Sequence, residues 1–485
     1  MSRAVADVAA GVAPVAYVCF VTVGCAKNEV DTNRMRALVR ASELAETDDP
    51  AAADIVVVNT CSFITEATEE SLEVIFDVLA LDGFAEGRRR LIVAGCMPAR
   101  YGDELASELG EAAGFLAPGD EDHVVEACYE ALGRSAAGKE GQAPLPPAAP
   151  QAALRVVEAP WAYVKVSDGC SRRCSFCTIP AIRGPYRSRP YAEVVAEVDA
   201  LVEGGVREIV LIGQDTGIWG CDLNGLDDGR QRQDDPETPR RLATLLDALA
   251  RRHPSIWLRV MYLQPQGVTD ELLAVMAAHP SICPYLDLPL QHVSARVLRE
   301  MNRSGDADAY LRLVGRIRAA LPQATLRTTL IAGFPGETRA DAVELERFVD
   351  QANYDYIGVF AYSQEDITPA GQRADQVPPR TRRARRQRLR DRADAVGFAR
   401  AAGLVGSTLD VLVCGEDEEG VYGRTQGQAP DVDGVVHLAN VALWSLAQQS
   451  PAAFALVRIG DVVRARITDT SCYDLYGELA MPPSN

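Results

Sequence analysis

The stretch "SDGCSRRCSFCTIP" places Cys170, Cys174 and Cys177 within eight positions. Thiolates are soft ligands, and three of them on a tight loop can each hold one iron of a four-iron four-sulfur cluster. The fourth iron is then left without a protein ligand. An open iron can chelate a small molecule, so the missing fourth residue reads as the purpose of the site. Two other chemistries use the same residue types. A zinc knuckle needs a fourth ligand, and the five histidines (His123, His253, His279, His292, His437) all lie far away in sequence. A ferredoxin-like electron-transfer cluster needs a fourth cysteine, and none is close.

A second trio follows a different pattern. Cys25 in "TVGCAKNEVD", Cys61 in "VVNTCSFI" and Cys96 in "VAGCMPAR" each come directly after an apolar run. They form no linear motif, but if the runs are strands of one parallel sheet, all three leave the same carboxyl edge. Free cysteine is also a small buried hydrophobe, a reading that stays open here and suits the other six: Cys19, Cys128, Cys221, Cys283, Cys414 and Cys472.

Weaker marks surround the first trio. Phe176 could pack a nucleobase edge or the loop's own core. Gln214 closes the run "REIVLIGQD", and Gly333 in "LIAGFPGET" offers backbone that a nucleoside could approach, or a plain turn. "LPLQHVS" sets Gln291 and His292 at another run's end, as substrate contacts or as structural groups.

The elements that must position these residues follow a regular grammar. Over 15–131, apolar runs alternate with helical patterns at 28–44, 65–80 and 101–109, which predicts a parallel α/β domain. An Ala/Pro/Gly tract at 132–155 reads as a linker. Over 156–393 six further runs, "WAYVKVSDGC", "REIVLIGQD", "WLRVMYL", "YLDLPLQH", "LRTTLIAGF" and "YDYIGVFAYS", alternate with helices such as 191–204, 242–252, 269–279 and 339–351. Six βα units predict an open, partial (β/α)6 barrel with its ligand site at the carboxyl ends of the strands. The polar stretch 220–239 reads as a surface loop. Residues 381–402 predict an Arg-rich helix, whose seven arginines at 382–392 are interleaved with Asp391 and Asp394. Short alternating runs over 396–480 predict a small antiparallel β-barrel. The fold class is α/β in three domains.

The chain's formal charge of −19 lacks the basic footprint that nonspecific nucleic-acid binding needs and suits a basic partner instead. Residues 403–485 carry four arginines, no lysine and eleven acids, a formal −7. We expect this module, with Asp431 and Asp433 near its rim, to meet a basic protein loop. The uncharged stretch 8–26 could be mistaken for a membrane span, but its first half is Ala and Gly broken by Pro14, and its second half suits a buried strand. The expected location is the cytoplasm, where clustered thiols indicate metal or catalysis sooner than disulfides.

Taken together, these residues resemble a known family. The loop Cys170-x3-Cys174-x-Phe176-Cys177 is similar to that of the radical S-adenosylmethionine superfamily. With "GCAKNEVDTNRM", "NTCSFITEATEES", "VAGCMPARY", "LIGQDTGIWG", "LPLQHVSARVLREMNR" and "RTTLIAGFPGET", the match from 15 to 480 resembles the methylthiotransferases. One branch of these acts on transfer-RNA adenosine, the other on an aspartate of small-subunit ribosomal protein twelve. Gln291-His292-Val293, where the transfer-RNA branch carries Gln-Ser-Gly, looks like the ribosomal-protein branch.

The resemblance implies that Cys170, Cys174 and Cys177 bind a 4Fe-4S cluster whose open iron chelates S-adenosylmethionine, which an electron from a separate donor cleaves to a deoxyadenosyl radical. It implies an auxiliary 4Fe-4S cluster on Cys25, Cys61 and Cys96 that carries the sulfur. The radical would take a hydrogen from the aspartate β-carbon, sulfur would replace it, and a second S-adenosylmethionine would give the methyl. The terminal barrel would be a TRAM domain that docks substrate. Phe176, Gln214 and Gly333 would face the cofactor; Gln291, His292, Asp431 and Asp433 would face the substrate. Modification of transfer RNA, and a nonenzymatic iron-sulfur or zinc protein, remain the alternatives.

Overall fold

The computed structural model describes residues 15–134, 155–223, 241–443 and 455–480. Most of the 132–155 linker and of the 220–239 insertion lies outside the described residues.

The first domain is built on β-branched runs buried on both faces, as parallel strands are. It comprises β1 (Tyr17–Thr22), α1 (Ala26–Arg40), β2 (Ala45–Glu46), β3 (Ile55–Thr60), α2 (Thr65–Leu79), β4 (Arg90–Gly95), α3 (Cys96–Glu108), β5 (Ala112–Leu116) and α4 (Val124–Ala131). The sheet is parallel, in the order β2-β1-β3-β4-β5. Ile55, Val57 and Ile92 pack against Met35, Val39 and Cys128 on one face; Cys19, Val56 and Val93 pack against Ile75 and Met97 on the other. Strand order reverses beside β1 and β3, and such a switch point opens a crevice at the carboxyl ends.

The second domain carries β6 (Trp161–Lys165), β7 (Ser167–Asp168), α5 (Ile179–Ile182), β8 (Arg187–Ser188), α6 (Tyr191–Glu203), β9 (Glu208–Ile212), α7 (Leu242–Arg252), β10 (Trp257–Val260), α8 (Asp270–Ala278), β11 (Tyr285–Asp287), α9 (Ala295–Glu300), α10 (Ala307–Ala320), β12 (Thr325–Ala332), α11 (Arg339–Ala352), β13 (Tyr356–Ala361) and α12 (Pro379–Ala402). Strands β6, β9 and β10 form one parallel sheet and β11, β12 and β13 another, joined by a bridge between Leu258 and Ile282. The six strands run side by side in chain order. Alternate residues such as Val164, Leu211, Leu258 and Leu286 pack outward under the helices.

The third domain has β14 (Thr408–Asp417), β15 (Gly420–Thr425), β16 (Val436–Ala439), β17 (Val441–Leu443), β18 (Ala455–Val457), β19 (Val462–Ser471) and β20 (Asp474–Leu479). A closed barrel runs β14-β15-β16-β20-β19. The barrel differs from the expected all-antiparallel one, because β16 and β20 pair parallel. An intervening excursion through β17 and β18 brings the chain back in the same direction. Helix α12 runs unbroken through the place where sequence put the boundary with this domain, and many of its arginines pair with acids or carbonyls: Arg385 with Glu337, Arg390 with Asp394, Arg400 with Asp355.

The three domains share one core. Leu412, Cys414 and Ala429 of the small barrel pack with Tyr163, Val210, Trp257 and Tyr285 on the inner face of the six strands, and Val30 of α1 joins them. Glu208, at the start of β9, accepts from Arg259 at 2.7 Å and pairs with Arg424 of β15 at 2.7 Å. All three side chains are at most 3% exposed. Glu208→Ala leaves two buried guanidiniums without a carboxylate, and we expect a stability loss of about 3–5 kcal/mol. The loss should read out as a lower thermal midpoint and as proteolytic release of the segment after Ala402; an unchanged midpoint would show that the pair does not hold the module.

Candidate functional site

The loop from Gly169 to Tyr186 is pinned from several directions. Strands β7 and β8 pair antiparallel at its base. Gly169 has φ 69, and a Cβ there would meet the Gly184 carbonyl oxygen at 2.7 Å, so only glycine makes this turn. Cys170 N–H donates to Gly184 O at 3.1 Å, and Ser175 N–H to Met301 O at 3.1 Å. Asn302 donates to Arg173 O at 2.7 Å, and the Thr178 hydroxyl to Phe63 O of the first domain at 2.8 Å. Cys170 is buried, and Cys174 and Cys177 are half-buried. Burial, with the neighbouring thiols Cys174 and Cys170, pushes Cys177 up to about 12. The three thiols are therefore close enough to resist joint ionisation unless a cation joins them.

The second trio comes together at the carboxyl edges of β1, β3 and β4. Cys25 caps α1, and Cys96 begins α3, where a helix N-terminus favours a thiolate. Ser71 fixes Cys61, accepting from its N–H at 3.0 Å and donating to its carbonyl at 2.8 Å. Gly24, at φ 111, would place a Cβ 2.5 Å from that of Cys61, so the crevice has no room for a larger residue. Asn28 donates to Thr60 O at 2.8 Å and Asn59 to Asn28 O at 2.9 Å, locking the strand ends together. A hydrogen bond from Cys61, with Arg183 nearby, holds Cys96 down to about 6 against burial.

Arg183 joins the two trios. It belongs to the loop that carries Cys170, yet it stands beside Cys96 and Cys25 and pairs with Asp31 of α1 at 3.1 Å and Asp168 at 3.3 Å. Lys165 also pairs with Asp31 and Asp168. Despite burial, Lys165 and Arg183 hold Asp168 down to about 2. Lys27, two residues after Cys25, is 7% exposed and sits 3.1 Å over the Tyr262 ring. Burial pushes its ammonium down to about 8.

Six thiols in two trios, glycine turns that admit no Cβ and a thiolate-favouring setting at Cys96 fit two iron-sulfur clusters. Among the described residues, no three His, Cys, Asp or Glu side chains are grouped as they would be around one metal ion. A cluster asks for something else, one thiolate per iron.

The weaker candidates divide. Gln214 donates to Asp168 at 3.1 Å, and its Oε1 is buried without a partner, as is Oδ1 of the adjacent Asp215. Such orphaned acceptors suit a polar ligand at this strand end. Phe176 packs against the barrel's outer core. Gly333 is a pinned turn: its N–H donates to Glu337 at 2.7 Å, and a Cβ would run into Arg382.

Of Gln291 and His292, only the histidine is placed away from a substrate-facing position. Gln291, at φ 73, bridges to β12 through its backbone. His292 is fully buried, and its Nδ1 accepts from the N–H groups of Val293 and Ser294 at 2.9 and 3.0 Å. A polar side chain at a tight strand end is used to satisfy the turn.

Of the two expected rim acids, Asp433 sits elsewhere. Asp433 has a side chain 0% exposed, accepts from the Tyr285 hydroxyl at 2.7 Å and from Ala429 N–H at 2.9 Å, and lies 3.5 Å from Arg327. Burial pushes it up to about 6. Asp431 accepts from the Tyr163 hydroxyl at 2.8 Å. Both hydrogen-bond to the barrel's inner face, but only Asp433 is buried there; Asp431 is exposed at the edge of the module, where it was expected. Arg183, Lys27 and Tyr262 were invisible in sequence: only assembly of the domains brings them to the cysteines.

Comparison with known proteins places these features in context. The chain matches the Radical SAM superfamily over residues 164–349, the uncharacterized protein family UPF0004 over 17–117 and the TRAM domain over 405–480. It is 40% identical over 475 residues to the ribosomal protein uS12 methylthiotransferase RimO of Trichlorobacter lovleyi, covering 95% of this chain and 98% of that one. The RimO of Geobacter sulfurreducens is also 40% identical, over 467 residues, with the same coverage. Among solved structures, the radical S-adenosylmethionine methyltransferase TsrM from Kitasatospora setae, with cobalamin and a [4Fe-4S] cluster bound, aligns with TM-score 0.51 at 17% identity, over 73% of this chain and 77% of that one. That likeness speaks to fold alone.

Proposed function

From the premise that this chain belongs to the RimO family of ribosomal protein uS12 methylthiotransferases, we propose that it places a methylthio group on the β-carbon of an aspartate of uS12. The enzyme is a radical S-adenosylmethionine methylthiotransferase that uses 4Fe-4S clusters and S-adenosylmethionine. When bound, these supply the radical source, the sulfur and the methyl group. The chain's own residues supply placement: Cys170, Cys174 and Cys177 hold one cluster, Cys25, Cys61 and Cys96 the other, and Gln214 and Asp215 offer free acceptors beside the first. The observation that carries this reading is Arg183, which belongs to the loop of Cys170 and stands beside Cys25 and Cys96, so that the two trios face each other across the domain boundary. Electrons come from a separate donor. Among the described residues no helix is long and apolar enough to cross a membrane, and the cytoplasm is where such an enzyme meets its ribosomal substrate.

Mass spectrometry of uS12 from cells with and without the chain tests the reading. We expect a methylthio group in place of one hydrogen only when the chain is present. Modified transfer RNA with untouched uS12 would overturn it. The charge of the terminal module favours the protein substrate, since −7 opposes phosphates. Its β14–β15 hairpin exposes Glu416, Asp417, Glu418 and Glu419. Reversing these four to lysine should weaken uS12 binding roughly 10-fold at low salt and flatten its salt dependence, while S-adenosylmethionine cleavage without substrate stays intact. Unaltered binding would assign the docking surface elsewhere.

A further inference from the structure

Lys27 is a buried cation that the fold leaves without a salt bridge among the described residues. It is one of only three lysines in a chain with 49 basic residues. The cations around it are all engaged: Lys165 and Arg183 share Asp31 and Asp168, Arg172 takes Asp215, Arg327 takes Asp287, and Arg303 donates to Pro289 O at 2.8 Å. Lys27 makes no hydrogen bond or salt bridge among the described residues; its ammonium rests on the face of Tyr262, with Cys25, Asp287 and Asp168 near enough to favour its charge but not in contact with it. That seat is built at some cost. Tyr262 follows the carboxyl end of β10 with φ 62, a left-handed conformation for a bulky residue, fixed by its N–H donating to Asp287 at 3.0 Å. A ring on one side leaves the ammonium's other N–H groups without a protein acceptor among the described residues.

Burying an ammonium is unfavourable unless an anion joins it. Cys25 favours the charged ammonium, but Arg183 already stands beside Cys25 and Cys96 as their counter-charge, and what the Lys27 ammonium touches is the Tyr262 ring of the barrel. Resting on the methylthiotransferase reading above, we propose that Lys27 is the substrate-binding residue that pairs with the side-chain carboxylate of the target aspartate. The carboxylate is bonded to the carbon that reacts. An ion pair at ordinary charge-assisted length holds that carbon roughly 4 Å from the ammonium, next to Cys25 and on the side of the chamber facing the barrel. The clamp therefore fixes the reacting carbon itself, where small displacements cost most in rate. It also reads the substrate's chemistry, because asparagine presents the same shape without the charge.

The test uses the cluster-loaded enzyme and two peptides of the uS12 loop, one with the target aspartate and one with asparagine in its place. The wild-type enzyme should bind the aspartate peptide about 30-fold more tightly, the lower range for losing one partner of a buried charge pair. Lys27→Met, with iron content checked against wild type, should bind both peptides equally at the asparagine level and raise KM for the aspartate peptide by the same factor. Lys27→Arg should restore part of the preference. A wild-type enzyme that binds the two peptides equally overturns the proposal whatever the variants do, and so does a Lys27→Met enzyme that keeps the preference. If the wild-type enzyme modifies no uS12 at all, the methylthiotransferase reading falls first and this inference with it.

Discussion

Cys174→Ala is expected to end S-adenosylmethionine cleavage while the chain stays folded. The thiol is only half-buried, and its loop is held by Asn302, Thr178, Gly184 and Met301 through hydrogen bonds that do not involve sulfur. The barrel's outer core, centred on residues such as Leu245, Leu298 and Phe348, does not include it. What changes is the donor set. A cluster left with two thiolates is lost or mispoised, and since altering even an outer-shell partner of a metal site costs 10–100-fold, loss of a direct ligand should cost at least roughly 100-fold. Anaerobic reduction followed by chromatography for deoxyadenosine measures it, with circular dichroism as the check on folding. Undiminished deoxyadenosine would show that this trio is not the cleavage site.

Replacing Cys25, Cys61 and Cys96 together by alanine should divide the chemistry. The variant is expected to keep about half the iron and to go on cleaving S-adenosylmethionine, with no methylthio group reaching uS12. The physical ground is that the trios belong to different sheets and different helices. Arg183 is the point of contact, but its pairs with Asp31 and Asp168 survive the change, so the Cys170 loop keeps its anchor. Iron analysis and peptide mass spectrometry on one preparation check both halves. Loss of all the iron would mean that the two sites assemble as one.

Much of this architecture was legible in the sequence because parallel strands announce themselves. "ADIVVVNTC" and "RRLIVAGC" are apolar runs that end where the sheet ends, so position along the chain gave position in the crevice. The helices expected at 65–80, 191–204, 242–252 and 339–351 correspond to Thr65–Leu79, Tyr191–Glu203, Leu242–Arg252 and Arg339–Ala352. Helix α10 and strand β15 were not foreseen. The first carries four charged residues and a glycine among its apolar positions, and the second, "GVYGRT", opens on a glycine and holds another, which weakens the strand pattern. His292 was placed by the run it follows, a rule that finds strand ends but says nothing about whether a side chain is used up by its own turn, and Asp433 by the acidity of its module, which says nothing about which acids are buried. Lys27 and Arg183 were out of reach for the opposite reason: their meaning depends on which domain packs against them.

The small barrel's seat on the inner face of the six strands bears on what happens to a reactive species inside. Glu208 opens β9 and Tyr285 opens β11, so the module closes the amino ends of the strands, on the far side from the cysteine loop. Tyr163, Arg259, Tyr285 and Arg327 each meet a group of the module, so without it these polar side chains would face water. The terminal module is thus a floor to the six strands. It keeps solvent and stray reductants from entering from below, and leaves the substrate loop to come in from the side where both cysteine trios wait.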